Sequence, residues 1–181
     1  MKKVNRTNKK LLQVLKFLVK FNLFSIPLYI ILITGWHWIG LQQLTADLTM
    51  YILNFIGLNP TINDFIISIP IQHGTWAGFI NFDCTGWKSM LAFFALIMST
   101  PFSLRKKSIG MMLLPVIFAI NLVRIAFMFS YVYLFDLAHY ELVHAIIWSW
   151  GLILIVAGLW IFWAKADTSK LEKTIYSGSN K

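Results

Sequence analysis

The strongest candidates for a reactive site are three residues of different chemical type: Cys84, Arg124 and His144. Cys84 is the only cysteine among the 181 residues, so it cannot form an internal disulfide. An imidazole can activate a thiol nucleophile, and an ionised guanidinium can bind a carbonyl oxygen as negative charge develops on it. Together they are the parts of a thiol-dependent acyl-transfer site, provided that the chain brings them together.

The residues around Cys84 favour a nucleophile. We expect an outer loop to enter a membrane helix at Cys84, where the helix dipole and free amides favour the thiolate. Lys88 lies one turn further on the same face, and Gly86 allows close backbone approach. Asp83 opposes thiolate formation, although it could also serve as the helix N-cap. The alternative is a buried cysteine that acts as a small hydrophobic side chain.

Arg124 and His144 each have a structural alternative. Asn121 lies three residues before Arg124 on the same helical face, where it would orient the guanidinium or add a hydrogen-bond donor; a purely structural Arg124 would bond to loop carbonyls. An imidazole with a pKa near ~6.5 can take the thiol proton and return it to a leaving amine. His144 could instead be an interfacial histidine, and His139 in the same loop competes with it. The other two histidines lie among tryptophans and are predicted to be interfacial.

Composition indicates a membrane protein. The chain is 58% hydrophobic, 16% aromatic and 13% charged, and its mean hydropathy is +0.69, outside the usual range of soluble domains. Spanning a hydrocarbon core of ~30 Å takes ~20 residues. Four segments satisfy this, and the first is predicted to be a retained anchor rather than a cleaved signal peptide. We therefore predict an all-α polytopic membrane protein with about four transmembrane helices, at residues 17–40, 85–102, 109–135 and 144–164.

The net charge of +9 does not indicate a nucleic-acid partner, because the charges are segregated along the chain. Lysine and arginine cluster in the basic N-terminal segment 1–16 and at Lys20 near the start of the first helix, between the second and third helices, and after the fourth helix. The outer loop 41–83 and the short loop 136–143 contain none. The positive-inside rule therefore predicts a multi-pass protein of the cell membrane with both termini in the cytoplasm.

The two remaining cations, Lys88 and Arg124, are predicted to lie at membrane depth. Placing a charged side chain at membrane depth costs at least ~2.5 kcal/mol, so such a residue usually has a function. Arg124 is about 24 Å along its helix from the cytoplasmic end, at ~1.5 Å per residue. Cys84 and His144 each begin a helix at the outer surface. The candidate site is therefore expected at the outer face.

The outer loop 41–83 is predicted to contain two kinds of structure. Residues 41–58 carry an apolar stripe with a polar opposite face, typical of a helix lying on or dipping into the outer interface. Residues 61–82 turn β-branched and partly alternating, so we expect short extended segments that cap the site. The polar tail 165–181 is predicted to be a disordered cytoplasmic segment.

Three sequence blocks follow one another along the chain: Cys84-Thr85-Gly86 followed by Lys88-Ser89-Met90, Asn121-x-x-Arg124-Ile125, and His144. In order and spacing they resemble the signature blocks of the exosortase/archaeosortase family, and the resemblance covers roughly residues 80–160. The chain resembles a short member that keeps little more than the shared core, with about four helices where many members have about eight.

The resemblance implies a membrane-embedded cysteine transpeptidase. In that family Cys84 would be the nucleophile, Arg124 the oxyanion or substrate-positioning residue and His144 the acid/base. The implied partners are exported proteins with a C-terminal motif, helix and basic cluster, and an acceptor such as a lipid. No cofactor or metal is expected, because the four histidines and one cysteine lack zinc spacing. Two alternatives remain: a protease without transfer, and a non-enzymatic membrane assembly or transport subunit in which Lys88 and Arg124 bind an anion.

Overall fold

The computed structural model describes residues 2–72, 74–135, 137, 139–146 and 150–166, with side chains from residue 8 onward. The described chain forms two compact units, one from residues 2–35, 90–114 and 156–166 and the other from the remainder. Most of the predicted tail 165–181 lies outside the described residues. The elements are α1 (Lys2–Phe24), α2 (Ile26–Thr34), α3 (Ile39–Phe55), β1 (Thr61–Asn63), β2 (Ile66–Ile71), β3 (Gly74–Phe79), a 3-10 turn (Phe82–Thr85), α4 (Trp87–Ser99), α5 (Leu104–Met111), α6 (Leu114–Phe135), α7 (Tyr140–Ile146) and α8 (Leu152–Lys165).

The predicted first membrane helix, residues 17–40, consists of two helices in the structure. Residues 2–16 of the basic segment are part of α1, and the helix is interrupted at Ser25. Pro27 follows in the first turn of α2, where its missing N–H does not break a helical hydrogen bond. Gly35 ends α2 in the left-handed conformation, with φ 65°.

Proline and local turns also divide the other predicted spans. The predicted helix 109–135 is α6, preceded by the separate helix α5, and Pro115 lies in the first turn of α6. The predicted helix 85–102 is the shorter α4, which ends two residues before Pro101. The predicted helix 144–164 overlaps α7 and α8, and residues 147–149 between them lie outside the described residues.

Within the described residues, two helical segments are by length and composition able to cross a membrane: Asn8–Thr34 and Leu104–Phe135. Two shorter apolar helices, α4 and α8, accompany them. These four segments correspond in order to the four predicted spans, with different ends.

In the first unit, lysines satisfy carbonyls at helix ends. Lys107 Nζ donates to Met98 O at 2.8 Å, near the end of α4. Lys106 Nζ donates to Ala164 O at 3.0 Å, near the end of α8, and lies 4.2 Å from the ring centroid of Phe102. A cation at a helix C-terminus bonds the last carbonyls and complements the negative end of the dipole.

The second unit contains an antiparallel sheet of order β1-β2-β3. Ile67 pairs with Gly78 and Ile69 with Trp76 in the β2–β3 register, so these residues share one face. Ile67 and Ile69 are fully buried against α3 and α6, in a core with Leu53 and Phe129. The extended stretch predicted after residue 60 is thus a sheet packed on helices. Helix α3 also contacts the chain directly after β3, because Gln42 Nε2 donates to Ile80 O at 2.7 Å.

Helix α3 buries several polar residues and exposes part of its apolar stripe. Its buried residues are mainly polar and small, and include Gln42, Thr45 and Thr49. Tyr51 and Phe55, which belong to the predicted apolar stripe, are 72% and 92% exposed. An exposed apolar stripe is the opposite of the arrangement in a water-soluble domain and favours contact with lipid.

Candidate active site

A short turn fixes the backbone of Cys84. The Asn81 side chain caps the 3-10 turn, and its Oδ1 accepts the Cys84 N–H at 2.9 Å. Gly86 follows with φ 75°, in the left-handed region that favours glycine, and α4 begins only at Trp87. Cys84 therefore precedes α4 by three residues and does not open that helix as expected from the sequence. Asn81, and not Asp83, is the capping residue.

Asn121 of α6 holds this turn from the other side. Its Nδ2 donates to the Cys84 carbonyl at 2.7 Å, and its side chain lies against Gly86, where an added Cβ would be 2.9 Å from Asn121 Cγ. Asn121 is completely buried, and its Oδ1 has no hydrogen-bond partner within the described residues. The structure thus gives Asn121 a direct contact with the Cys84 backbone, which the sequence analysis did not anticipate.

Cys84, Arg124 and His144 line one cavity of about 100 Å³ in the second unit. α6 supplies Arg124 one turn after Asn121, and α7 supplies His144. The structure therefore brings together the three residues that the sequence singled out. The rest of the wall is mainly apolar and aromatic: Trp76, Gly78, Phe79, Ile80, Ile125, Met128, Phe129 and Tyr140.

Burial and charge act in opposite directions on the thiol. Burial raises the pKa of Cys84 above its ordinary value, while a hydrogen bond from the Asn81 backbone and the positive charge of Arg124 lower it and Asp83 raises it. Because burial is the largest effect, the resting thiol is neutral at neutral pH. A neutral thiol needs a base to become a nucleophile.

His144 lines the same cavity and is the candidate for that base. It lies in α7, outside the long and shorter apolar segments. Burial lowers its pKa below the ordinary value, and Arg124 lowers it further. The imidazole is therefore neutral at neutral pH and can accept a proton.

Tyr140 is a cavity residue that the sequence analysis missed. Its ring stacks on His144, with centroids 5.6 Å apart and planes 19° apart. The Tyr140 ring also meets Trp76 of β3 in an edge-to-face contact, with centroids 5.6 Å apart. The only sequence signal is the spacing of four residues before His144, which places two rings on one helical face.

Lys88 is directed to a different partner. Its Nζ lies 2.9 Å from Asp83 Oδ1 in an ion pair with about half of each side chain exposed, and it is not among the residues lining the cavity. His139, the competitor of His144, has φ 57° in the turn before α7 and is also outside the lining. His37 lies near Phe82 instead, with ring centroids 5.8 Å apart. His73 lies outside the described residues.

Within the described residues, no group of three or more His, Cys, Asp or Glu side chains could hold a metal ion. The cavity lining brings together a thiol, an imidazole and a guanidinium. These can provide a nucleophile, a proton carrier and a fixed positive charge.

Fold and cavity together define a class: a mainly helical protein with apolar helices long enough to cross a membrane and a cavity lined by cysteine, arginine and histidine. The sequence-family model of the transmembrane exosortases matches residues 6–164, and the chain belongs to this family. The family predicted from the sequence motifs is confirmed. No curated protein and no solved structure matched the chain.

Proposed function

We propose that this protein is a membrane-embedded cysteine transpeptidase that cleaves a C-terminal sorting signal from exported proteins and transfers the new acyl end to an acceptor. The observation that carries the proposal is the cavity lined jointly by Cys84, Arg124 and His144. Membership of the transmembrane exosortase family supports the same reaction class.

In the acylation step, His144 takes the proton of the Cys84 thiol, and the sulfur attacks the scissile carbonyl carbon. Arg124 stabilises the oxyanion of the tetrahedral intermediate. When the C–N bond breaks, His144 gives its proton to the leaving amine, and the acyl group remains on Cys84 as a thioester. Burial raises the pKa of Cys84 and lowers that of His144, so both groups are neutral at rest and the thiol proton is transferred only during the reaction.

The thioester is then resolved by a second nucleophile. An amine or hydroxyl of the acceptor attacks the carbonyl, His144 accepts its proton, and the thiolate leaves and is protonated by His144. Water in place of the acceptor would make the enzyme a protease without transfer. The mainly apolar wall of the cavity favours a site that limits water.

The proposed arrangement in the membrane has about four spanning helices, both termini in the cytoplasm and the site at the outer face. The support is the segregation of the basic residues and the four apolar helical segments. The helix of a substrate tail would pack in the bilayer with its basic end in the cytoplasm, which brings its motif to the outer surface.

The test is C-terminal processing of exported proteins with such tails in cells that make wild type or Cys84→Ala. Mass spectrometry of the new C-terminus is expected to show tail removal with wild type only, and an added mass on that terminus identifies the acceptor. Removal without added mass indicates hydrolysis. Undiminished processing with Cys84→Ala would overturn the proposal in favour of a binding or assembly role.

Matched controls separate chemistry from general damage. His144→Ala is compared with His139→Ala, since His139 is in the same region but outside the cavity lining. Arg124→Met is compared with Lys88→Met, which removes the other cation predicted at membrane depth. Loss is expected for the first variant of each pair only.

A further inference from the structure

One edge of the sheet in the second unit has no strand beside it within the described residues. β3 pairs only with β2, since the sheet order is β1-β2-β3. The Thr75, Ala77 and Phe79 side chains are all exposed. A terminal strand presents a row of backbone N–H and C=O groups that can pair with another extended chain.

The direction of these groups follows from the register. Pro70 lies opposite Thr75 and has no N–H to exchange, so this is a non-hydrogen-bonded pair. Ile80 N donates to Phe65 O at 2.8 Å, so the alternation continues with residues 76, 78 and 80 bonded toward β2. The N–H and C=O groups of Thr75, Ala77 and Phe79 therefore point away from β2.

The usual protections of an exposed edge are missing from β3. Its sequence, GTWAGF, contains no charged residue and no proline, whereas natural edge strands commonly carry lysine, proline or a bulge. The opposite edge is β1, which is only three residues long. The unprotected β3 edge is thus the one suited to accept a partner strand.

This edge leads directly to the candidate nucleophile. Phe79 and Ile80, at the end of β3, line the same cavity as Cys84, and the chain reaches Cys84 four residues later. An extended peptide paired along β3 would lie beside the cavity, because Trp76, Gly78 and Phe79 of this strand line it. Its alternate side chains would face the cavity side, where Trp76 and Phe129 form the wall.

We propose that the β3 edge at Thr75, Ala77 and Phe79 binds the substrate polypeptide next to its scissile bond as an added β-strand. This inference rests on the proposed function and names how its substrate is held. Main-chain hydrogen bonds supply affinity in this mode, while pockets for alternate side chains supply specificity. It also keeps the peptide backbone paired close to a membrane, where unpaired amides are costly.

The test uses peptide chloromethyl ketones, which alkylate a thiol at the end of a bound peptide. A pool of acetylated pentapeptides with mixed side chains is screened by intact-protein mass spectrometry for the sequence that labels Cys84 fastest. That peptide is remade with a single N-methyl group at each amide in turn. Labelling is expected to fall about fivefold to tenfold at alternate positions only, since one backbone hydrogen bond is lost at each of those.

The matched protein variants are Ala77→Pro, which removes an outward N–H from β3, and Ile62→Pro, which does the same at the β1 edge. Each is scored as the ratio of peptide labelling to labelling by chloroacetamide, which reports thiol access without a peptide. The ratio should fall about fivefold to tenfold for Ala77→Pro and stay within about twofold for Ile62→Pro.

Three results would overturn the inference: no alternation in the N-methyl series, equal ratios for the two proline variants, or no peptide that labels faster than chloroacetamide. The processing assay with Cys84→Ala separates this failure from failure of the proposed function. Cysteine-dependent processing without the alternating pattern would remove the β3 site and leave the enzyme. Processing that does not depend on Cys84 would remove both.

Discussion

Replacing Gly86 by alanine tests how the turn after Cys84 is held. Gly86 has φ 75°, and an alanine in this left-handed conformation costs about 1–2 kcal/mol. Its Cβ would also lie 2.9 Å from Asn121 Cγ, which is closer than packed carbons allow. Asn121 is fully buried, so it can yield only by moving its hydrogen bond to the Cys84 carbonyl.

The expected effect on activity follows from that displacement. A shift of about 1 Å in a reacting group can lower the rate about 100-fold, so Gly86→Ala should slow substrate processing by about tenfold to 100-fold. Gly57→Ala is the matched control, because Gly57 has φ 84° but nothing within 4 Å of the added Cβ. It carries the same backbone strain without the contact.

The assay is the rate of tail removal per unit of folded enzyme, with enzyme quantified in the membrane fraction. We expect Gly57→Ala to remain within about threefold of wild type. If Gly86→Ala and Gly57→Ala are impaired equally, backbone strain alone explains the effect, and the role given to the Gly86–Asn121 contact is refuted.

Three further predictions concern the cavity and its surroundings. Alkylation of Cys84 by iodoacetamide should rise with pH around a midpoint above that of a free cysteine, because burial raises the pKa of the thiol and the thiolate forms only at higher pH. Arg124→Met should move that midpoint higher still, since the charge that lowers the pKa is gone; a downward shift contradicts this. Lys88→Met should change the rate of processing by less than about threefold, because the half-exposed ion pair of Lys88 contributes only ~0.2–1 kcal/mol. A loss as large as that of Arg124→Met would contradict this and show that Lys88 is needed for the reaction. Tyr140→Phe should keep near wild-type processing and Tyr140→Leu should lose several-fold, because only phenylalanine preserves the stack on His144; equal pH–rate profiles and rates for the two variants would exclude positioning of His144 by the ring.

The apolar helices were predictable from the local sequence, because hydrophobicity along a segment can be summed without knowledge of the fold. Apolar runs predict membrane helices because burial in lipid depends on composition along the segment. Among the described residues, two of the four predicted spans contain helical segments long enough to cross a membrane, and the other two contain shorter apolar helices. Their ends were less predictable. Pro27 and Pro115 divide segments that hydropathy reads as continuous, since a sum of hydrophobicity does not register a missing backbone donor.

For the cavity, too, the sequence indicated the important residue types but not the contacts that these residues make. Cys84, Arg124 and His144 stood out because ionisable or reactive groups are rare in apolar sequence. Lys88 stood out for the same reason, yet its partner is Asp83, in an ion pair with about half of each side chain exposed. A sequence shows that a charge needs a partner, but only packing decides which one it receives.

The sequence by itself determined the family, the apolar character of the helices and the identities of the three candidate catalytic residues, because these are carried by residue type and order along the chain. The tertiary structure alone decided what holds them. Asn121 reaches the Cys84 carbonyl across 37 residues, and Trp76 meets Tyr140 across 64. Such contacts depend on how distant elements pack, and no local pattern encodes the distance between them.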